Sequence, residues 1–127
     1  ALADSNVVDE DGNNVLDMNG NQIINYGLKT QAKDQAKRTA HSLIKRFGWL
    51  VQRVTMDSSQ TIPSAVTTYC ANIRTDCANI ITAIDNASDM TAFKALYTDT
   101  VDSDGNVTQV ARVNRWSDDT NVQQYVR

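Results

Sequence analysis

Apolar positions along this chain change their period twice. Between about residues 31 and 98 they recur every three or four places, as on one face of a helix; on either side they come in short pairs separated by Gly-Asn turns. Ala32, Ala36, Ala40, Leu43, Ile44 and Phe47 predict a first helix over 31–47, with Lys33, Asp34, Lys37, Arg38 and Lys45 elsewhere on its surface and Gly48 as its stop. Val66, Tyr69, Cys70, Ile73, Cys77, Ile80, Ile81 and Ile84 predict a second over 63–86, opened by Pro63 with Ile62 just outside. Ser88 or Asp89 caps a third, shorter helix over 89–98 carrying Met90, Phe93, Leu96 and Tyr97. Short links between such helices favour antiparallel packing. Trp49 to Met56 is rich in aromatic and β-branched residues but too short to show a period, and reads equally as helix, strand or packed loop.

The opening stretch "DEDGNNVLDMNGNQIINYG", residues 9–27, repeats itself at an interval of eight: Asp9, Gly12, Asn13, Val15 and Leu16 return as Asp17, Gly20, Asn21, Ile23 and Ile24. The Gly-Asn pairs are turn signals between strand-like pieces two or three residues long. A hairpin of that size is marginal alone in water, so this arm needs another surface, either its own helical body or a neighbouring chain. Val15, Leu16, Ile23, Ile24 and Tyr26 are the candidate interface residues, because they are apolar in a segment with little core of its own. Pairing of arm strands with a partner's sheet edge is one way such a segment binds. After Thr98, "VDSDGNVTQVARV" returns to the same style, with a hairpin turn at Asp104-Gly105-Asn106 and a last strand-like stretch over Val107 to Val113. A polar tail follows, anchored by Trp116, Val122, Tyr125 and Val126.

The expected fold is therefore α+β, mainly α: an antiparallel core of about three helices flanked by short β-hairpin-like terminal segments. Residues 1–27 form the arm, 28–98 the helical core and 99–127 the hairpin and tail of one compact domain. Trp49, Val66, Tyr69, Ile73, Ile80, Phe93 and Leu96 are the expected core.

Composition narrows the function. With 127 residues the chain supports one core, and at 41% hydrophobic and 21% charged it has no apolar run long enough to enter a membrane. A net charge of −3 and only a short basic stripe, Lys33, Lys37, Arg38, Lys45 and Arg46, argue against a nucleic-acid partner. The acidic, polar start lacks the pattern of a secretory leader. Cys70 and Cys77 lie seven apart on one predicted helix, about 10 Å along its axis, too far for a disulfide; they read as reduced core thiols of a cytoplasmic product.

Catalytic chemistry has little to build on. His41 is the only histidine and has no nucleophile elbow to pair with, and one histidine with two cysteines falls short of a zinc set. No phosphate loop or dinucleotide fingerprint is present. "DEDGN" at 9–13 and "DSDGN" at 102–106 resemble the start of calcium loops, but the position of the closing bidentate Glu holds Gly20 in one and Val113 in the other, so a plain turn is the better reading. No catalytic residue, metal or cofactor is expected.

One stretch carries a family resemblance. Residues 37–75, "KRTAHSLIKRFGWLVQRVTMDSSQTIPSAVTTYCANIRT", about a third of the chain, resemble a domain of bacteriophage tail assembly chaperone and tail-fibre-associated proteins, also found in virion proteins of marine and cyanobacterial phages. In that family a helix rich in Arg and Leu ends at a Trp, a short segment with a Pro follows, and a second helix opens on Tyr-Arg-x-x-Leu-Arg. Gly48-Trp49, Arg53, Ile62-Pro63, Tyr69 and Arg74 match that pattern; Gly48 replaces the usual acid and Cys70 the first Arg. The repeated Asp-x-x-Gly-Asn phrase likewise resembles phage fibre and structural proteins. The resemblance implies a non-enzymatic virion protein, a tail- or fibre-associated adaptor or decoration subunit, made in the host cytoplasm and assembling with other phage structural proteins and with copies of itself. It also implies an alternative, a tail or tail-fibre assembly chaperone absent from the mature particle; small size, acidity and terminal arms suit another, a capsid decoration protein.

Overall fold

The two helices with the strongest apolar period form and pack against each other. The structure, a computed structural model, describes residues 2–127. Strands β1 (Ser5–Asn6) and β2 (Ile24–Asn25) precede helices α1 (Leu28–Lys45), α2 (Gly48–Met56), α3 (Ser64–Asn86) and α4 (Met90–Ala95). Strands β3 (Thr100–Val101) and β4 (Val107–Gln109) follow, then two 3-10 helical turns, Arg112–Asn114 and Thr120–Tyr125. At one end of the α1–α3 pair Lys33 Nζ lies 2.9 Å from Asp85 Oδ1, and Lys29 Nζ donates to the Asp85 carbonyl at 3.0 Å. At the other end Arg46 Nη2 donates to the Tyr69 hydroxyl at 3.1 Å, so the two helices run antiparallel. The buried face of α1 is a row of alanines, Ala32, Ala36 and Ala40, small enough to let the helix axes approach.

The core has two ends. One gathers Phe47, Leu50, Val66, Tyr69, Ile73 and Val122; the other gathers Ile80, Ile84, Ala87 and Phe93 against Ala32 and Ala36. Cys77 and Trp116 pack against both. Val66, Tyr69, Ile73, Ile80 and Phe93 are buried, as expected; Trp49 and Leu96 are half-buried at the margins.

Several local expectations are corrected. Gly48 is not a stop: α1 ends at Lys45, and Gly48 opens a further helix over the segment whose period was too short to read. That helix has partners distant in sequence. Leu50 is buried, and Trp49 Nε1 donates to the Tyr125 carbonyl at 2.8 Å. The guanidinium carbons of Arg127 and Arg53 lie 4.0 and 5.2 Å from the Trp49 ring. Pro63 precedes α3 as its N-cap, and α4 stops at Ala95, opened by Asp89, whose carboxylate accepts the Ala92 N–H at 2.8 Å. The strand expected over Val107 to Val113 ends at Gln109. Ala111 is buried, its N–H donates to Asp99 Oδ1 at 2.7 Å, and Val113 N–H donates to the Leu96 carbonyl at 3.2 Å, drawing the chain onto the helices. The tail packs through the anchors expected of it: Val122 is wholly buried, and Trp116, Tyr125 and Val126 lie against the same cluster.

The N-terminal segment is fastened to the start of α1. Lys29 N–H donates to the Leu2 carbonyl at 3.1 Å, and Leu2 packs on the second core cluster. A Cβ on Gly27 would fall on the backbone of Leu2 and Ala3, so only glycine allows this crossing. Asp4 Oδ1 accepts from the Thr30 hydroxyl at 2.7 Å and from the N–H of Gly27, the N-cap, at 2.8 Å, the bond that the reciprocal carboxylate of a capping box makes. Those bonds, the Thr30 hydroxyl first, hold the Asp4 carboxyl below the usual carboxylate range. A folded-state pKa below the unfolded one means that the latch contributes at neutral pH and is lost as pH falls through the lowered value. Acid titration followed by NMR is expected to release the Gly27 amide below the ordinary Asp range, with Asp4→Asn abolishing that transition.

Candidate interaction surface

The eight-residue repeat folds into a closed ring. Val15 N–H donates to the Val7 carbonyl at 2.9 Å, Ile23 N–H to Val15 at 3.0 Å, and Val7 N–H back to Ile23 at 2.9 Å. Around this circuit Val8 pairs with Asn14, Leu16 with Gln22 and Asn6 with Ile24, each pair antiparallel. Each short segment thus pairs with the previous one through its first half and with the next through its second. Two of the three junctions are closed by Asp-x-x-Gly-Asn turns; at the third the chain enters and leaves for α1.

The turns are built alike. Asp9 Oδ1 accepts the N–H groups of Asp11 and Asn13 at 3.0 and 2.9 Å, and Asp17 Oδ1 those of Asn19 and Asn21 at 2.8 and 2.9 Å. Gly12 and Gly20 stand at φ 82° and 83°, the left-handed conformation that favours glycine. The β3–β4 hairpin has the same turn: Asp102 Oδ1 accepts from Asp104 and Asn106, both at 2.9 Å, with Gly105 at φ 83°. One oxygen of each leading carboxylate is therefore engaged by its own backbone, and among the described residues no group of three or more His, Cys, Asp or Glu side chains is placed to hold a metal.

Gln22 closes the ring. Its Nε2 lies 2.9 Å from the Ile23 carbonyl, 3.0 Å from Val15 and 3.4 Å from Val7, the same three oxygens that accept the circuit of backbone bonds. Eight and sixteen places earlier stand Asn14 and Asn6, one methylene shorter. Gln22→Ala is expected to remove about 1 kcal/mol of local stability, the worth of a typical hydrogen bond, and to speed amide exchange at Val7, Val15 and Ile23 about fivefold. Unchanged protection would show that the backbone circuit stands without it.

This closure corrects one expectation. Val7, Val15 and Ile23 spend their N–H groups inside the ring, so the arm is not an open edge for strand addition at those positions. What it offers is side chains. Val8, Leu16 and Ile24, the equivalent positions of the three segments, are 53%, 55% and 39% exposed; Ile23 and Tyr26 are exposed as well, and Val15 is half-buried. The period of eight extends backwards from Val15-Leu16 to Val7-Val8, a third copy without its own Asp-x-x-Gly-Asn turn before it.

A second apolar surface lies at the far end of the helices. Ile44, Phe47, Val51, Ile62, Val66 and Cys70 line a groove of about 260 Å³ whose lining also includes Lys45 and Arg74. Burial pushes the thiols of Cys70 and Cys77 up, so neither is a ready thiolate. His41 is exposed on α1, away from both cysteines in sequence. Comparison with protein-family models, curated proteins and solved structures gave no match to this chain.

Proposed function

We propose that the chain is a non-enzymatic structural subunit of a bacteriophage particle, a tail- or fibre-associated adaptor or decoration protein that assembles through its N-terminal ring. The observation that carries the assembly role is the ring itself: a hydrogen-bonded scaffold, latched to α1, that holds Val8, Leu16 and Ile24 out in water. Apolar residues fixed in a closed frame lose little entropy when a partner covers them, which favours a binding surface over a floppy terminus. The phage setting rests on the resemblance of residues 37–75 and of the Asp-x-x-Gly-Asn repeat to phage proteins. Quantitative mass spectrometry of purified particles tests it. A structural subunit is expected in fixed proportion to the other virion proteins. Its absence from finished particles, together with recovery from infected cells bound to a tail protein, would instead favour the assembly-chaperone alternative.

A further inference from the structure

Charge is sorted along this chain. Residues 1–27 carry five acids and no Lys or Arg, whereas residues 28–56 carry seven Lys and Arg and one acid. The ring is thus acidic as well as apolar, and the helical segment that follows is basic. At the far end of that segment lies the apolar groove between the close of α1, α2 and the start of α3. Lys45 and Arg74, on its lining, are both exposed, and neither makes an ion pair among the described residues, where the Lys33–Asp85 contact is the one salt bridge.

A chain does not reach its own groove with its own ring. The ring is latched at Gly27 and Lys29, and the groove begins at Ile44, about 25 Å further along α1 at 1.5 Å rise per residue. We infer that the groove receives the acidic, apolar ring of a second copy, so that subunits join head to tail, with Val8, Leu16 or Ile24 entering among Phe47, Val51 and Ile62 while the turn carboxylates meet Lys45 and Arg74. Two different patches on one subunit make a heterologous contact, which propagates into a ring or a filament rather than stopping at a two-fold dimer. The inference rests on the ring being an assembly surface and adds its partner.

Mixing two defective copies tests it. A ring variant, Leu16→Asp with Ile24→Asp, keeps the groove; a groove variant, Val51→Asp with Arg74→Glu, keeps the ring. All four positions are exposed, and circular dichroism checks that both variants fold. A second groove variant, Lys45→Glu with Arg74→Glu, changes charge alone. Each variant by itself is expected to lose self-association at least tenfold, roughly the effect of removing one central contact. Mixed one to one, the ring and groove variants are expected to form a dimer and nothing larger, since one sound contact remains. If the unmodified protein assembles and the ring variant does not, but the mixture stays monomeric, the ring remains the assembly surface and the groove is overturned as its receptor. If the unmodified protein is monomeric at every concentration reached, head-to-tail joining is overturned, while the particle analysis still decides the structural role.

Discussion

Replacing Val122 with aspartate is expected to unfold the helical body, not merely to loosen its tail. Val122 has no exposed surface and packs with Phe47, Leu50 and Tyr69, all more than fifty residues earlier in the chain. The residues gathered around it in the cluster are apolar. The choice is between burying an unpaired charge and protonating it, either of which costs several kcal/mol against a total stability of about 5–15 kcal/mol for a domain. The tail also supplies the Tyr125 carbonyl to Trp49 and the Arg127 guanidinium over its ring, so its release strips α2 of its partners. Trp fluorescence and the cooperativity of urea unfolding report the outcome. A variant that keeps a sharp transition and loses only Trp49 contacts would make the tail an accessory to a body that stands without it.

The second large effect is expected at Ile73, also without exposed surface, in the middle of α3. Ile73→Ala removes three carbons and leaves a cavity, a change that costs about 2–5 kcal/mol in packed cores. At about 4 °C per kcal/mol for a domain of this size, the midpoint of thermal unfolding should fall by at least 8 °C. Leu16→Ala removes as much side chain at a position 55% exposed and is expected to stay within about 0.5 kcal/mol of the unmodified protein. Equal losses at the two positions would place the ring inside the core and remove the case for it as a surface awaiting a partner.

The parts of this fold that could be read from sequence are those whose partner is their own periodicity. The apolar positions of α1 and α3 recur at helical spacing over 18 and 23 residues, long enough for the face to declare itself, and the residues on it are buried or half-buried. The nine residues of α2 give only two turns of pattern. Its helix is held by Tyr125 and Arg127, which no local window contains. The tail's anchors, Trp116, Val122, Tyr125 and Val126, stood out as apolar residues in a polar stretch, but their partners among Phe47, Leu50 and Tyr69 lie far outside any local window. In the arm, Gly-Asn signals marked both turns correctly, and Val15, Leu16, Ile23, Ile24 and Tyr26 are in the segment that forms the ring. The closure was not visible, because it depends on three hydrogen bonds between positions eight and sixteen apart and on one glutamine long enough to reach three carbonyls. The charge sorting between arm and helices was present in the sequence throughout. It gained meaning once the groove near Lys45 and Arg74 was placed at the opposite end of α1.

The central claim is that the ring's outward apolar residues join subunits, and sedimentation velocity of the full chain beside its Leu16→Asp, Ile24→Asp variant tests it most directly. The account predicts that the unmodified protein sediments as species that grow with concentration while the variant remains a folded monomer. Identical monomers, or identical assemblies, from the two proteins would contradict it.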